Sequence, residues 1–108
     1  MNAQITVKDY KATLSNDDVA KIVAMKLYIS GVGDGLLWAN AEATRRKIPL
    51  FCEPNNLKLL VDNYIDMINS QIGRLSQPGG ASKSELDDLP IGMLLLKGLE
   101  GTFPCETK

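Results

Sequence analysis

Histidine is absent from the 108-residue chain, and cysteine occurs only twice. Without histidine, the sequence lacks the usual general base, the commonest metal ligand and every Ser–His or Cys–His nucleophile pair. Two cysteines are too few for a zinc site built from cysteine alone. These absences predict a protein that is not an enzyme and that binds no metal.

Signals for nucleotides and nucleic acids are also missing. The chain has no GxGxxG or Walker-type loop. Residues 31–35 read Gly-Val-Gly-Asp-Gly, but no lysine follows them and no strand pattern precedes them. The alternative of a phosphate-binding nest has no partner residue to support it. Twelve basic residues nearly balance thirteen acidic ones, unlike the strongly basic surfaces that bind nucleic acid. We therefore expect no cofactor and no nucleic-acid partner.

Uninterrupted apolar runs of about 18 residues, the length that spans a bilayer, do not occur. We therefore expect no membrane partner. Met1 is followed by Asn-Ala-Gln, so we also expect no signal peptide within this chain. The hydrophobic fraction is 44%, which is ordinary for a globular protein. At this length the chain is expected to form one domain, residues 1–108, with a modest core.

What the sequence does contain is helical periodicity. Ser15 is a candidate N-cap, with Asp17 and Asp18 in the first turn that follows. Apolar residues then recur at helical spacing to the basic end at residues 45–47, and Pro49 stops the helix. The three glycines at 31, 33 and 35 predict either a kink between two helices or the close packing of another backbone.

Two further helices are predicted in the second half. Pro54 can begin the first, with an apolar stripe from Leu57 to Ile68. Gly- and Pro-rich residues 73–84 form a loop. Asp87 or Asp88 then caps a last helix with a stripe over residues 91–99. Residues 1–14 have little periodicity and are expected to be a loosely ordered lead-in. The prediction is an all-α, single-domain bundle of about four helices.

Cys52 and Cys105 enclose both of the later helices. Each cysteine follows a helix break and lies close to an aromatic residue in the sequence, Cys52 next to Phe51 and Cys105 two residues after Phe103. This arrangement favours a disulfide between them. The alternative is two free thiols that pack as small apolar residues. A disulfide would place the chain in an oxidising compartment.

At these residues the chain resembles a known family. Tyr28-Ile29-Ser30-Gly31, Phe51-Cys52-Glu53-Pro54, an amphipathic helix and Phe103-Pro104-Cys105 are similar in order and spacing to the Tai/Rap immunity proteins of bacterial type VI secretion systems. The resemblance runs from about residue 15 to 105. One departure is Met25, since many relatives carry a cysteine of an additional pair three positions before this tyrosine.

The resemblance implies a location, a partner and an assembly. Members are usually exported to the periplasm, so this chain would be a mature form with its signal removed. They bind a cognate secreted effector, which for the Tai group is a cysteine amidase that cuts peptidoglycan peptides. The producing cell is thereby protected from its siblings' toxin. The resemblance also implies a homodimer that binds effector through elements of both copies.

From these considerations we assign two candidate surfaces, because small polar residues can enter and satisfy an enzyme cleft. The predicted effector-binding residues lie in the loop and at its base: Ser76, Gln77, Pro78, Gly79, Gly80, Ala81, Ser82, Lys83, Ser84, Glu85, Asp87 and Asp88. The predicted dimer interface lies along the apolar stripe: Leu57, Leu60, Tyr64, Met67 and Ile68.

Two other functions compete with occlusion of an amidase. One is a periplasmic chaperone or stress protein that exposes an apolar face to unfolded chains. The other is a carrier that holds a small apolar ligand between the stripes at 57–68 and 91–99.

Overall fold

The computed structural model describes residues 4–54 and 57–106, and these contain five helices. They are α1 (Val7–Leu14), α2 (Val19–Arg45), α3 (Val61–Leu75), α4 (Lys83–Asp87) and α5 (Ile91–Thr102). The described part has no strand apart from one isolated bridge between Thr6 and Pro90. The predicted all-α domain is confirmed: within the described residues, four helices have eight residues or more and α4 has five.

The lead-in predicted for residues 1–14 is wrong from Val7 onward, because these residues form α1. Thr6 and Asp9 make a reciprocal capping box at its start. Val7 and Tyr10 are buried, and the Tyr10 hydroxyl donates a 2.7 Å hydrogen bond to Asn69 Oδ1 on α3. The Val7 N–H also donates to the Leu89 carbonyl at 2.9 Å. These contacts fix α1 to the rest of the domain.

The long second helix begins three residues later than predicted. Asp18, rather than Ser15, is the N-cap, and its carboxylate accepts from the N–H groups of Ala20 and Lys21. The helix ends at Arg45, as expected, and Lys47 adopts a left-handed φ of 67° before Pro49. It runs without a break through all three glycines, so the alternative of two kinked helices is wrong.

Close packing explains why residue 33 is a glycine. A Cβ at this position would overlap the ring of Tyr64 on α3. At Gly31 and Gly35, by contrast, no described residue lies within 4 Å of an added Cβ. The ring of Tyr64 therefore lies directly on the backbone of α2. Gly33 is the contact that sets how closely α2 and α3 approach.

Hydrogen bonds from Asn40 and a disulfide hold the chain that follows α2. Buried Asn40 on α2 accepts from the N–H groups of Leu50 and Phe51 and donates to the Phe51 carbonyl at 2.7 Å. Cys52 then forms a disulfide with Cys105, with Cα atoms 5.0 Å apart, and its N–H donates to the Phe103 carbonyl. The predicted disulfide is confirmed, and it joins the entry to α3 with the exit from α5.

The helix predicted to begin at Pro54 begins at Val61 instead. Residues 51–54 lie outside any helix, the Cys52 N–H donates to the Phe103 carbonyl, and the Leu57 N–H donates to the Pro54 carbonyl. The Asn63 side chain accepts from the Leu60 N–H at the start of α3. The core lies between α1, α2, α3 and α5, and its buried apolar residues are Val7, Tyr10, Met25, Ile29, Phe51, Tyr64, Ile68, Leu86, Ile91, Leu94, Leu95 and Leu99.

Candidate protein-binding site

The loop between α3 and α4 has a defined backbone. Ser76 caps α3 with its N–H and its hydroxyl on the Ile72 carbonyl. The Gly80 N–H donates to the Gln77 carbonyl at 2.8 Å, and the Ala81 N–H donates to the Leu75 carbonyl at 3.0 Å. The loop is thus closed by its own hydrogen bonds.

Two glycines make this closure possible. Gly79 has a φ of 87°, which L-residues with a side chain rarely adopt. A Cβ on Gly80 would overlap the Leu75 carbonyl oxygen. The Pro-Gly-Gly sequence therefore encodes one particular turn.

The base of the loop is anchored through α4. Ser82 and Glu85 form a capping box in which each side chain accepts from the other's N–H, at 3.2 and 2.9 Å. Hydrogen bonding from Ser82 to the carboxylate of Glu85, first from the Ser82 backbone and then from its side chain, lowers the pKa of Glu85 below its usual value. Lys83 pairs with Asp87 at 3.1 Å, and Leu86 is buried in the core.

The structure brings the predicted effector-binding residues together on one short segment. Ala81 and Asp87 are half-buried, and the others are exposed: Ser76, Gln77, Pro78, Gly79, Gly80, Ser82, Lys83, Ser84, Glu85 and Asp88. Small and polar groups are therefore presented to solvent on a segment that hydrogen bonds close and that Leu86 anchors in the core.

The predicted dimer residues do not form one surface. Tyr64 and Ile68 are each 1% exposed and belong to the core, so these two assignments are wrong, because the stripe faces α2 and α5. Met67 is half-buried against Gly98, where an added Cβ would lie 2.8 Å from the Met67 Cβ. Leu57 and Leu60 remain exposed before the helix begins.

A groove runs between α3 and α5, the region in which the carrier hypothesis expects a ligand. Its volume is about 620 Å³. Apolar residues and the glycines of α5 form part of its wall, and polar side chains of α3 form the rest. The lining comprises Leu57, Leu59, Asn63, Asp66, Met67, Ser70, Gln71, Arg74, Gly98, Gly101, Thr102 and Phe103.

A second recess, of about 390 Å³, shares Gln71 and Arg74 with the groove and is also lined by Leu75 at the start of the loop. The loop and the groove are thus neighbouring parts of one surface. The carrier hypothesis had placed a ligand between these helices, where the structure has an open surface groove.

Two buried tyrosines lie near carboxylates. Burial, followed by the charge of Asp66, raises the pKa of Tyr10 to about 12. Burial, followed by Asp34, also raises the pKa of Tyr64, whose hydroxyl lies 3.5 Å from Asp34 Oδ1. Glu53 contributes to the same effect, and its Oε2 is buried with no hydrogen-bond partner among the described residues. Within residues 4–54 and 57–106, no three His, Cys, Asp or Glu residues are placed to hold a metal ion.

One helix has the length and composition of a membrane span. An 18-residue window of α2 has a mean hydropathy of 1.3, and 17% of that window is buried. The sequence predicted no membrane span because only uninterrupted apolar runs were counted. Lys26 and Asp34 interrupt this one without removing its apolar character.

Comparison of the chain with protein-family models, with curated proteins and with solved structures gave no match in any of the three.

Proposed function

We propose that this chain is a periplasmic immunity protein that binds a cognate secreted peptidoglycan amidase and occludes its active site. The observation that carries the proposal is the segment at residues 76–85, which comprises the loop and the first turn of α4. It is largely exposed, its loop is closed by its own hydrogen bonds, and Leu86 anchors it in the core. A segment that is already ordered loses little conformational entropy on binding. It can therefore enter a cleft as a plug.

The chemistry of the loop supports this role. Gln77, Ser82 and Ser84 offer donors and acceptors that could satisfy polar groups in an enzyme cleft, and the glycines permit close approach. The order of motifs at residues 28–31, 51–54 and 103–105 points to the immunity proteins of type VI secretion systems as the class of inhibitor.

The test begins with the oxidised protein immobilised and exposed to a periplasmic extract of the source strain. Capture of a single cysteine amidase, silenced at near-stoichiometric amounts in a peptidoglycan-cleavage assay, is the expected result. Substituting Gln77→Arg together with Ser84→Arg should weaken inhibition by about 100-fold or more, since two bulky charges would meet the cleft. Lys58→Glu, at an exposed site outside the loop, is the matched control and should inhibit normally.

Failure of the loop variant to weaken inhibition would refute the plug, even if the amidase were captured. Capture of many unrelated proteins would refute the immunity function itself. That second outcome would favour a chaperone, for which the exposed apolar residues of α2 are the supporting observation: Val19, Val23, Leu27 and Trp38.

A further inference from the structure

The outer face of α2 carries an apolar stripe that nothing in the described chain covers. Its residues recur every three or four positions, which places them on one side of the helix. Leu27 is 69% exposed and Trp38 is 78% exposed. We call this stripe the α2 seam, and it consists of Ala20, Ala24, Leu27, Gly31, Gly35 and Trp38, all exposed.

The two glycines of the seam, Gly31 and Gly35, differ from Gly33 on the same helix. Gly33 faces inward, and the ring of Tyr64 occupies the space where its side chain would be. At Gly31 and Gly35 no heavy atom of the described chain lies within 4 Å of an added Cβ. Small residues on a helix surface allow the backbone of a second helix to approach closely. The seam thus has a shallow centre between two large side chains, Leu27 and Trp38.

We propose that two copies of this chain pair antiparallel along the α2 seam, with the two-fold axis at Gly31. Gly31 is one residue from the middle of Val19–Arg45. In this register, residues equally distant from Gly31 lie opposite each other. Leu27 then packs on the partner's Gly35, and Trp38 packs on the partner's Ala24. Each large side chain faces a small one, so the surface is complementary to itself, as a two-fold interface requires.

The charges at the two ends of α2 select the antiparallel arrangement. Asp17 and Asp18 precede the helix, and residues 45–47 are Arg-Arg-Lys. Glu42 is shared between Arg45 and Arg46, which leaves this end positive. In the proposed register Asp17 lies at the level of the partner's Arg45, and opposite helix dipoles are adjacent. A parallel pair would bring like charges together.

Asp34 also borders the seam, and its charge is compatible with this register. It faces the partner's Tyr28 rather than the equivalent aspartate. Asp34 therefore keeps its contact with the Tyr64 hydroxyl of its own chain.

The area of the seam is sufficient for a specific but modest dimer. From Val19 to Trp38 the helix is about 30 Å long and roughly 10 Å wide. Trp38 alone can contribute about 150 Å² or more. Two copies would bury on the order of 1,000 Å², near the lower limit for specific interfaces. Pairing through α2 leaves the loop and the groove of each copy open, and it does not depend on the proposed inhibition.

The decisive experiment is sedimentation equilibrium of the oxidised full chain between about 1 and 100 µM. We expect a reversible dimer whose dissociation constant rises about 100-fold in Gly31→Leu, because the new side chain separates the helices at the axis. Gly73→Leu is the matched control, since Gly73 is also helical and has no neighbour within 4 Å of an added Cβ. That variant should dimerise like the unsubstituted protein. A monomer throughout this range, or a dimer that Gly31→Leu leaves intact, would overturn the proposal.

Register and direction are tested by two further variants. Gly31→Cys should cross-link to its own counterpart on oxidation, because both copies place this residue on the axis, and Gly73→Cys should not. Asp17→Arg should weaken pairing several-fold, and adding Arg45→Asp should restore it. A Gly31→Cys protein that dimerises without cross-linking would exclude this axis.

A lipid surface is the competing occupant of an apolar helix face. Flotation with vesicles of phosphatidylethanolamine and phosphatidylglycerol measures this directly. We expect the protein to remain unbound. Vesicle binding by a chain that stays monomeric in solution would assign the seam to the membrane and overturn the proposal.

Discussion

Gly33 allows the ring of Tyr64 on α3 to pack directly against the backbone of α2. Alanine there would bring a methyl group into the ring of Tyr64, and the buried ring cannot move aside without disturbing the core. We expect Gly33→Ala to lower the free energy of unfolding by about 2 kcal/mol, as overpacking usually does. Urea denaturation of the oxidised protein measures this change.

The matched variant is Gly73→Ala, on the exposed side of α3 with open space around it. It should raise stability by about 0.5 kcal/mol, since alanine restricts the unfolded chain. Equal effects of the two substitutions would show that Gly33 is not a packing contact.

Tyr10 should make the fold sensitive to alkali. Its pKa is about 12 in the folded protein, against about 10 in an unfolded chain. The folded state therefore holds the phenolic proton more tightly. Stability is fully present below about pH 10 and falls as the pH rises from about 10 to about 12.

Tyr10→Phe should flatten this fall, although it also removes the hydrogen bond to Asn69 and so lowers stability at neutral pH. Urea midpoints measured from pH 8 upward give both effects. An unchanged slope above pH 10 in the variant would assign the alkaline sensitivity to another group.

At the scale of whole elements, the sequence predicted the helices that have long apolar patterns. Residues 19–45 and 91–102 carry such patterns and form α2 and α5. The short α1 was missed because it has eight residues and two buried side chains, so its stability comes from tertiary contacts rather than from periodicity. The start of α3 was misplaced because the disulfide and the hydrogen bond from the Cys52 N–H to the Phe103 carbonyl tie the segment before α3 to the end of the chain. Such long-range contacts leave no local signal in the sequence.

The candidate site was only partly predictable for a related reason. The loop between α3 and α4 was indicated by its glycines and proline, which act locally. The groove depends on how α3 packs against α5, and the exposure of the α2 seam depends on which side of α2 the other helices cover. The spacing of apolar residues predicts a helix, but it does not show which apolar side of that helix is buried against the other helices.

The loop itself offers a prediction at this scale. Gly79→Ala should be strained by about 1–2 kcal/mol because the residue has a left-handed φ. We expect the amide protons of Gly80 and Ala81, which close the loop, to exchange with solvent faster in this variant. Hydrogen exchange followed by mass spectrometry measures this effect. Pro78→Ala, one residue earlier and exposed, is the control, and faster exchange in both variants alike would show that the turn does not depend on Gly79.

At the scale of the molecule, one covalent bond holds the two halves of the C-terminal region together. Cys52 and Cys105 are 53 residues apart, and they enclose α3, the loop, α4 and α5 in a single ring. Closing a ring of this size in the unfolded chain stabilises the fold by about 4 kcal/mol in the chain-entropy account. This is a large share of the stability of a small domain.

We therefore expect the double substitution Cys52→Ser and Cys105→Ser to lower the melting temperature by roughly 15–25 °C. Reductant should produce a similar loss in the unsubstituted protein, because Cys52 is exposed, and should have no effect on the double variant. Calorimetry with and without reductant makes the comparison. If the substituted and oxidised proteins melted within a few degrees of each other, the bundle would be held by its core alone, and the bridge would matter for positioning the segments beside the groove rather than for stability.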